Sequence, residues 1–177
     1  MLVHTALCTH KDPKTVLIVS NESNAIADEC SKYDALTLQQ MDEASFKADI
    51  HTVTEKSIDV LIIDATLQED KALFAHINAA LADDALMVCR LDDFDTKATN
   101  ESILSELGSY FKIIMPFFKN EENTLLLASK MYHPTADIIL HRSDLLEENS
   151  YYNADLHVAS FAMPTYIKQN YLGAIRN

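Results

Sequence analysis

The sequence predicts an α/β fold in which a mostly parallel sheet carries helices on both faces and an antiparallel hairpin at one edge. From Lys14 onward, short β-branched or aliphatic runs alternate with helical patterns, which is typical of βαβ units. The run Asp59–Ile63 is almost wholly apolar, as expected of a parallel strand buried on both faces. The strands Phe111–Met115 and Thr124–Lys130 are too close in sequence for a helical crossover, so we expect them to form the hairpin.

The other elements follow from apolar periodicity and from cap and turn residues. Three further strands are predicted, at Thr15–Val19, Ala35–Gln39 and Ala85–Cys89. Helices are predicted at Ala25–Lys32 (with Asn24 as N-cap), Lys71–Leu81, Glu101–Ser109, Asp144–Glu148, Asn153–Phe161 and from about Pro164 onward. A parallel sheet that ends in an antiparallel hairpin is the Rossmann-like, class I methyltransferase-type layout, which hosts many activities.

Composition and charge narrow the class of protein. A chain of 177 residues with 48% hydrophobic content can build one domain with a proper core. The net charge of −13 argues against nucleic-acid binding; it would attract cationic ligands such as amines, or serve solubility alone. The sequence has no apolar run of membrane-spanning length and no signal peptide, and its three cysteines are scattered. We therefore expect a cytoplasmic protein without membrane association.

Glycine is rare in this chain. Only two glycines occur, Gly108 and Gly173, and neither follows a strand at which a nucleotide would need one. In Rossmann-type domains the turn after the first strand is glycine-rich, because the backbone passes close to the ligand there. The corresponding turn here is Ser20-Asn21-Glu22-Ser23-Asn24-Ala25. Either the ligand is held further away, or the domain has kept its architecture and lost its ligand.

Polar residues follow three predicted strands, at the sheet edge where open α/β sheets bind ligands. These residues form the segments Ser20–Ser23, Gln39–Asp42 and Asp64–Thr66. A carboxylate at Asp64 can accept a proton or bind a cation, or it can cap a loop or helix. The seven histidines show no metal-binding spacing, so we expect no metal site and expect most of them at the surface or hydrogen-bonded in packing.

Three segments, in the same order, resemble motifs of the spermidine synthase (polyamine aminopropyltransferase) family. Residues Tyr151–Pro164 match the closing signature Tyr-Tyr-Asn-x-x-x-His-x-Ala-x-Phe-x-Leu-Pro, with Met163 in place of leucine. The opening segments Met1–His4 and Thr9–Val19 are similar to the family's Met-Leu-x-His, a short helix, and then His-Pro-x-Pro-Lys-x-Val-Leu-Ile. Asp59–Thr66 is similar to Asp-Val-Ile-Ile-x-Asp-Ser-(Thr/Ser).

In that family an aminopropyl group passes from decarboxylated S-adenosylmethionine to putrescine, so the resemblance implies these two cationic substrates, no separate cofactor and no metal. Asp64 holds the position of the catalytic aspartate, whose carboxylate takes the proton of the attacking amine. The resemblance also implies a homo-oligomer, a dimer. The expected contacts to the nucleoside co-substrate are Ser20, Asn21, Glu22, Ser23 and Gln40, and those to the amine are Tyr152 and Phe118.

The sequence departs from the family at several of these positions. The glycine-rich turn is replaced, Gln40 stands where an acid would hold the ribose, Ser23 stands for an aspartate and Phe118 for a tyrosine. The family's N-terminal β-domain has no counterpart, so we expect residues 1–177 to form one domain of a fragment or shortened product. Two hypotheses follow: an aminopropyltransferase, or a catalytically degenerate relative that acts as a binding or assembly module. A methyltransferase would leave the closing signature unexplained.

Overall fold

The computed structural model describes residues 1–22, 24–92, 97–120, 123–146 and 149–177. Its centre is a six-stranded sheet in the order β2-β1-β3-β4-β6-β5. The strands are β1 (Thr15–Val19), β2 (Thr37–Met41), β3 (Ile58–Thr66), β4 (Leu81–Leu91), β5 (Ile113–Asn120) and β6 (Asn123–Ser129). Strands β2, β1, β3 and β4 are mutually parallel, which confirms the predicted α/β layout.

The predicted hairpin closes the other edge of the sheet. Strand β6 runs antiparallel to both β4 and β5, with Leu86 and Ile113 each opposite Ser129. No helix occurs in the described part of the connection, as the short spacing required, and residues 121 and 122 lie outside the described part. The central strands are therefore paired on both sides, and β2 and β5 form the two edges.

Eight α-helices are described around this sheet. They are α1 (Leu2–Leu7), α2 (Ala25–Cys30), α3 (Glu43–Asp49), α4 (Lys71–Ala80), α5 (Lys97–Leu107), α6 (Leu140–Asp144), α7 (Ala154–Ser160) and α8 (Thr165–Asn170). A 3-10 turn at Ile50–Thr52 follows α3. Among the described helices, none is long and apolar enough to cross a membrane.

Alternating side chains of the strands divide the core into two apolar clusters, one on each face of the sheet. The first cluster joins Leu61 and its strand neighbours to α3, α4, α5 and α8, and includes Phe74 and Tyr171. The second joins Ile62 and its neighbours to α1, and includes Phe161. Because β3 contributes to both clusters, it is buried from Val60 to Ile63, as its apolar run predicts.

Two local predictions are not met by the structure. Ala35 has a φ of +62°, a left-handed conformation that no strand allows, so β2 begins only at Thr37. The helix predicted at Asp144–Glu148 is wrong in its described part, because α6 ends at Asp144. Arg142 in α6 donates to the carbonyl oxygens of Leu7 and His10, so the helix position is set by a tertiary contact that periodicity cannot show. Residues 147 and 148 of that prediction lie outside the described residues.

Side-chain hydrogen bonds cap the start of three helices, but the predicted cap of α2 is not formed. Asp42, Asp70 and Asn153 each accept a hydrogen bond from the backbone N–H three residues later, at 2.7–3.0 Å, and so begin α3, α4 and α7. Asn24 precedes α2 as expected, but its side chain makes no capping hydrogen bond. It therefore occupies the N-cap position without performing the predicted role.

Candidate active site at the carboxyl edge of the sheet

A pocket of about 320 Å³ opens where the parallel strands end. Its polar lining includes residues from five parts of the chain: His4 in α1, Glu29 in α2, Asp64 and Arg90 at the ends of β3 and β4, and Tyr152 before α7. Asp64 lies on the same face of β3 as Ile62, because strand side chains alternate, and this face is the one that α1 covers. The pocket thus brings together residues from both termini and the centre of the sequence.

Asp64 forms an ion pair inside this pocket. The Nε of Arg90 donates to Asp64 Oδ1 at 2.7 Å, and an Nη of the same guanidinium lies 2.6 Å from that oxygen. The two side chains are 17% and 31% exposed, so both are partly withdrawn from water. Asp64 therefore neither caps a helix nor stands alone as a carboxylate.

His4 forms the second polar group of the pocket. Its Nε2 lies 2.8 Å from the Glu29 carboxylate and its Nδ1 lies 2.8 Å from the Tyr33 hydroxyl. A carboxylate can only accept, so Nε2 carries the proton and Nδ1 accepts from Tyr33. Burial lowers the pKa of His4 from 6.5 to about 4, which keeps the ring neutral near pH 7. His4 is thus a fixed neutral donor beside an acidic side chain.

The closing signature packs beneath the pocket. Tyr152 is 4% exposed and its hydroxyl lies 2.7 Å from Nδ1 of His157, a ring that is fully buried. Phe161 is also buried, and its ring centroid lies 4.9 Å from that of Phe117 in β5. The segment therefore packs onto the sheet, with Tyr152 and Phe161 withdrawn from solvent.

The first three residues of the turn after β1, Ser20–Glu22, do not line the pocket. Asn21 and Glu22 are exposed, and the Asn21 amide group exchanges two hydrogen bonds with Glu43, at 2.7 and 3.0 Å. Ser20 is half-buried, with its hydroxyl 3.2 Å from the Glu22 backbone nitrogen. The side chains thus tie the turn to α3, and Ser23 lies outside the described residues.

The two remaining predicted contacts lie on other surfaces. Gln40 is exposed on the edge strand β2, near the carboxyl end of the sheet. Phe118 packs against the first apolar cluster, whereas its neighbour Phe117 belongs to the second. Because the Asp64 side chain lies on the face of the second cluster, the strand alternation separates Phe118 from Asp64.

Sequence reasoning did not identify Arg90, Glu29 or Tyr33 as site residues. The position of Arg90 could have been predicted from the sequence, because it directly follows the apolar run Ala85–Cys89. In the structure, Cys89 pairs with Ile63, the residue before Asp64. A charged residue directly after one parallel strand and Asp64 directly after its neighbour are brought together at the sheet edge. Glu29 lines the pocket from α2, whereas Tyr33, in the loop after α2, contacts His4 without lining the pocket. Neither contact to His4 has a short-range signal in the sequence.

Comparison with known proteins gives relatives over nearly the whole chain. The chain is 27% identical over 194 aligned positions to a polyamine aminopropyltransferase of Helicobacter acinonychis, covering 96% of this chain and 74% of that protein. It is 24% identical to one of Clostridium beijerinckii, covering 95% and 75%. No family model matches the chain.

Solved structures of spermidine synthases share the fold of this chain. Spermidine synthase from Thermotoga maritima superposes with a TM-score of 0.81 at 19% identity, covering 96% of this chain and 72% of that one. A spermidine synthase in complex with the transition-state analogue AdoDATO superposes with a TM-score of 0.82, also at 19% identity, covering 96% and 73%. These likenesses agree with the aligned relatives and with the three motifs in order. In sequence and in fold, the chain is therefore similar to the polyamine aminopropyltransferases, also called spermidine synthases.

Proposed function

We propose that this chain catalyses aminopropyl transfer from decarboxylated S-adenosylmethionine to an amine acceptor, with putrescine as the first candidate. The observation that carries the proposal is the pocket at the carboxyl edge, where Asp64, His4 and Tyr152 line one cavity. Its volume of about 320 Å³ suits a small diamine together with the aminopropyl arm of the co-substrate. The net charge of −13 favours the approach of two cationic substrates.

In the proposed reaction, the nitrogen of a neutral amine attacks the aminopropyl carbon next to the sulfonium. The new C–N bond forms as the C–S bond breaks, and the electron pair of that bond leaves with sulfur as the neutral thioether methylthioadenosine. The product ammonium proton passes to Asp64, which acts as the general base. Arg90 binds Oδ1, so Oδ2 is the oxygen proposed to receive the proton.

The nucleoside would lie over the ends of β1 and β2, beside Ser20, Asn21, Glu22 and Gln40. Exposed amide and hydroxyl groups can bind ribose hydroxyls, although they lack the charge of a carboxylate. Ser23 and Phe118 stay in the proposal only as predicted contacts. The single-domain organisation, the dimer and the cytoplasmic location also remain predictions.

The Arg90–Asp64 ion pair favours a second candidate function, a non-catalytic binding or assembly module. Arg90 places a positive charge where both substrates would bring one, and like charges at one site repel. The turn after β1 also lacks the glycines that allow close approach of a nucleotide. In this alternative, the fold and the pocket persist while the chemistry is lost.

The experiment compares turnover and ligand binding in the same preparations. The chain is incubated with decarboxylated S-adenosylmethionine and putrescine, and spermidine is measured by mass spectrometry; methylthioadenosine binding is measured by calorimetry. For a transferase, Asp64→Asn lowers turnover by about 10²–10⁴-fold and leaves methylthioadenosine binding intact. Asp83→Asn is the matched control, because Asp83 is 79% exposed and pairs with Lys56. If the unmutated chain neither binds methylthioadenosine nor forms spermidine, the module is the correct function.

A further inference from the structure

A second polar cluster lies at the amino-terminal ends of the parallel strands, opposite the pocket at their carboxyl ends. His10 follows α1, and Asp59 stands at the start of β3. Asp84 lies in β4, in the irregular stretch between the pairs Leu81–Ile58 and Leu86–Val60. One ligand atom from each of these side chains lies within 4.8 Å of the other two. Asp59 and Asp64 are five positions apart on one strand, which at about 3.3 Å per residue separates this cluster from Asp64 by roughly 16 Å.

His10 is the member of this cluster whose polar atoms lack a hydrogen-bond partner. Its side chain is 2% exposed, yet neither ring nitrogen has a hydrogen-bond partner among the described residues. Its Nε2 points toward Asp84, 3.9 Å from Oδ2, which is too long for a hydrogen bond. The ring is held against Tyr132, with the centroids 4.8 Å apart. Buried polar groups are normally satisfied, so an unpartnered imidazole aimed at carboxylates indicates that something binds between them.

Hydrogen bonds from the surrounding chain orient both carboxylates. Asp59 Oδ2 accepts from the backbone nitrogens of Lys14 and Thr15, each at 2.8 Å. Asp84 Oδ2 accepts from the Tyr132 hydroxyl at 2.8 Å. Hydrogen-bonded carboxylates and a ring fixed by packing are the support that metal ligands usually receive. The charge also favours a cation, because the nearby Arg142, which donates to the His10 carbonyl oxygen at 2.7 Å, offsets only one of the two carboxylates.

We propose that His10, Asp59 and Asp84 form a divalent-cation site of the zinc type. One imidazole nitrogen and two carboxylate oxygens are ligands that Zn²⁺ accepts, and water would complete the coordination. Ligand distances of about 2.0–2.2 Å require the three atoms to approach each other by roughly 1 Å. The Asp84 side chain is 39% exposed, so it can make that movement and gives the ion its entry path. The ion would join the segment after α1 to the starts of β3 and β4.

The proposal is independent of aminopropyl transfer and is tested without an activity assay. The full chain is treated with a chelator and desalted, and Zn²⁺ is then titrated by calorimetry and by thermal unfolding. We expect one binding site and a midpoint of unfolding that rises with Zn²⁺ concentration, because an ion that binds only the folded state stabilises it. His10→Gln and Asp84→Asn should each weaken binding by at least about 100-fold and remove the rise, since even the loss of a group that orients a ligand typically costs 10–100-fold.

The control is His51→Gln. His51 and His76 are exposed and their ring centroids lie 5.9 Å apart, so they could bind Zn²⁺ adventitiously at the surface. Binding that persists in His51→Gln and is lost in the two cluster variants supports the proposal. Absence of binding to the unmutated chain, or binding that survives Asp84→Asn, overturns it. If His10→Gln fails to fold by circular dichroism, the half-buried Asp84→Asn decides the outcome.

Discussion

Asp64 is the residue on which the proposed chemistry depends, and its ion pair with Arg90 limits how it can bind a cation. A lone carboxylate in the pocket would attract an ammonium group directly. With Arg90 bound to Oδ1 at 2.6–2.7 Å, an incoming cation must displace the guanidinium or bind only the remaining oxygen. The arrangement therefore weakens cation binding at this pocket without removing the carboxylate.

Replacing Arg90 should strengthen the binding of a diamine. In Arg90→Met the competing charge is removed and much of the side-chain volume is kept, so we expect putrescine affinity to rise by up to about tenfold, equivalent to about 1.4 kcal/mol. Calorimetry with putrescine measures the change. Adding Asp64→Asn to Arg90→Met should abolish the gain, because the freed carboxylate is its source. Unchanged putrescine affinity in Arg90→Met would mean that the ion pair does not control the pocket.

The candidate site was predictable where a motif fixed the residue, and not where the tertiary structure did. Asp64 and Tyr152 lie in motif segments, and both line the pocket. Phe118 was expected to contact the amine, but the alternation of strand side chains places it on the face of the sheet opposite Asp64. The Glu29–His4–Tyr33 contacts join residues that are up to 29 positions apart, and no local pattern indicates such a pairing.

At the scale of elements, the N-cap of α7 holds the closing signature in place. Asn153 accepts a hydrogen bond from the Leu156 nitrogen at 2.7 Å, whereas Asn24 occupies the same position before α2 without such a bond. We therefore expect Asn153→Ala to lower the free energy of unfolding by about 0.5–2 kcal/mol, and Asn24→Ala to lower it by clearly less. Urea denaturation of the two variants makes the comparison. Equal losses would show that the side-chain bond contributes nothing to α7.

The strands could be predicted more reliably than the short helices. Buried parallel strands are continuous apolar runs, and β1 was predicted with the bounds that the structure shows. Helix α6 is only five residues long, and its position depends on Arg142 binding carbonyl oxygens near the end of α1. A helix of that length carries less than two turns of periodicity, so the sequence offers too little signal to place it.

For the whole molecule, the buried histidines make stability depend on pH. Burial lowers the pKa of His157 and that of His4 from 6.5 to about 4. Between these values the unfolded chain binds more protons than the folded one, so stability rises with pH. We expect the contribution of the two neutral histidines to the free energy of unfolding to be fully present above about pH 6.5. This contribution should decrease as the pH is lowered toward 4. Each histidine contributes up to about 1.4 kcal/mol per pH unit.

Urea denaturation between pH 4 and pH 7 measures this slope. His157→Gln should reduce it, because one buried ionisable ring is removed, while the exposed His51→Gln should leave it unchanged. The comparison uses the slope and not the absolute stability, since His157→Gln also removes the hydrogen bond to Tyr152. A slope that is the same in His157→Gln as in the unmutated chain would contradict the assignment to His157.

The two apolar clusters share one sheet, so they should unfold together. Leu61 belongs to the first cluster and Leu86 to the second, and the two side chains are 1% and 0% exposed. Leu61→Ala and Leu86→Ala should each lower the free energy of unfolding by about 2–5 kcal/mol, because each leaves a cavity in a packed core. Near-ultraviolet circular dichroism follows the packing of the aromatic side chains, and far-ultraviolet circular dichroism follows the whole backbone. Since β3 and β4 carry side chains to both faces, each variant should move a single transition by the same amount in both signals. Two separate transitions in Leu86→Ala, with different midpoints in the two signals, would show that the two clusters unfold independently.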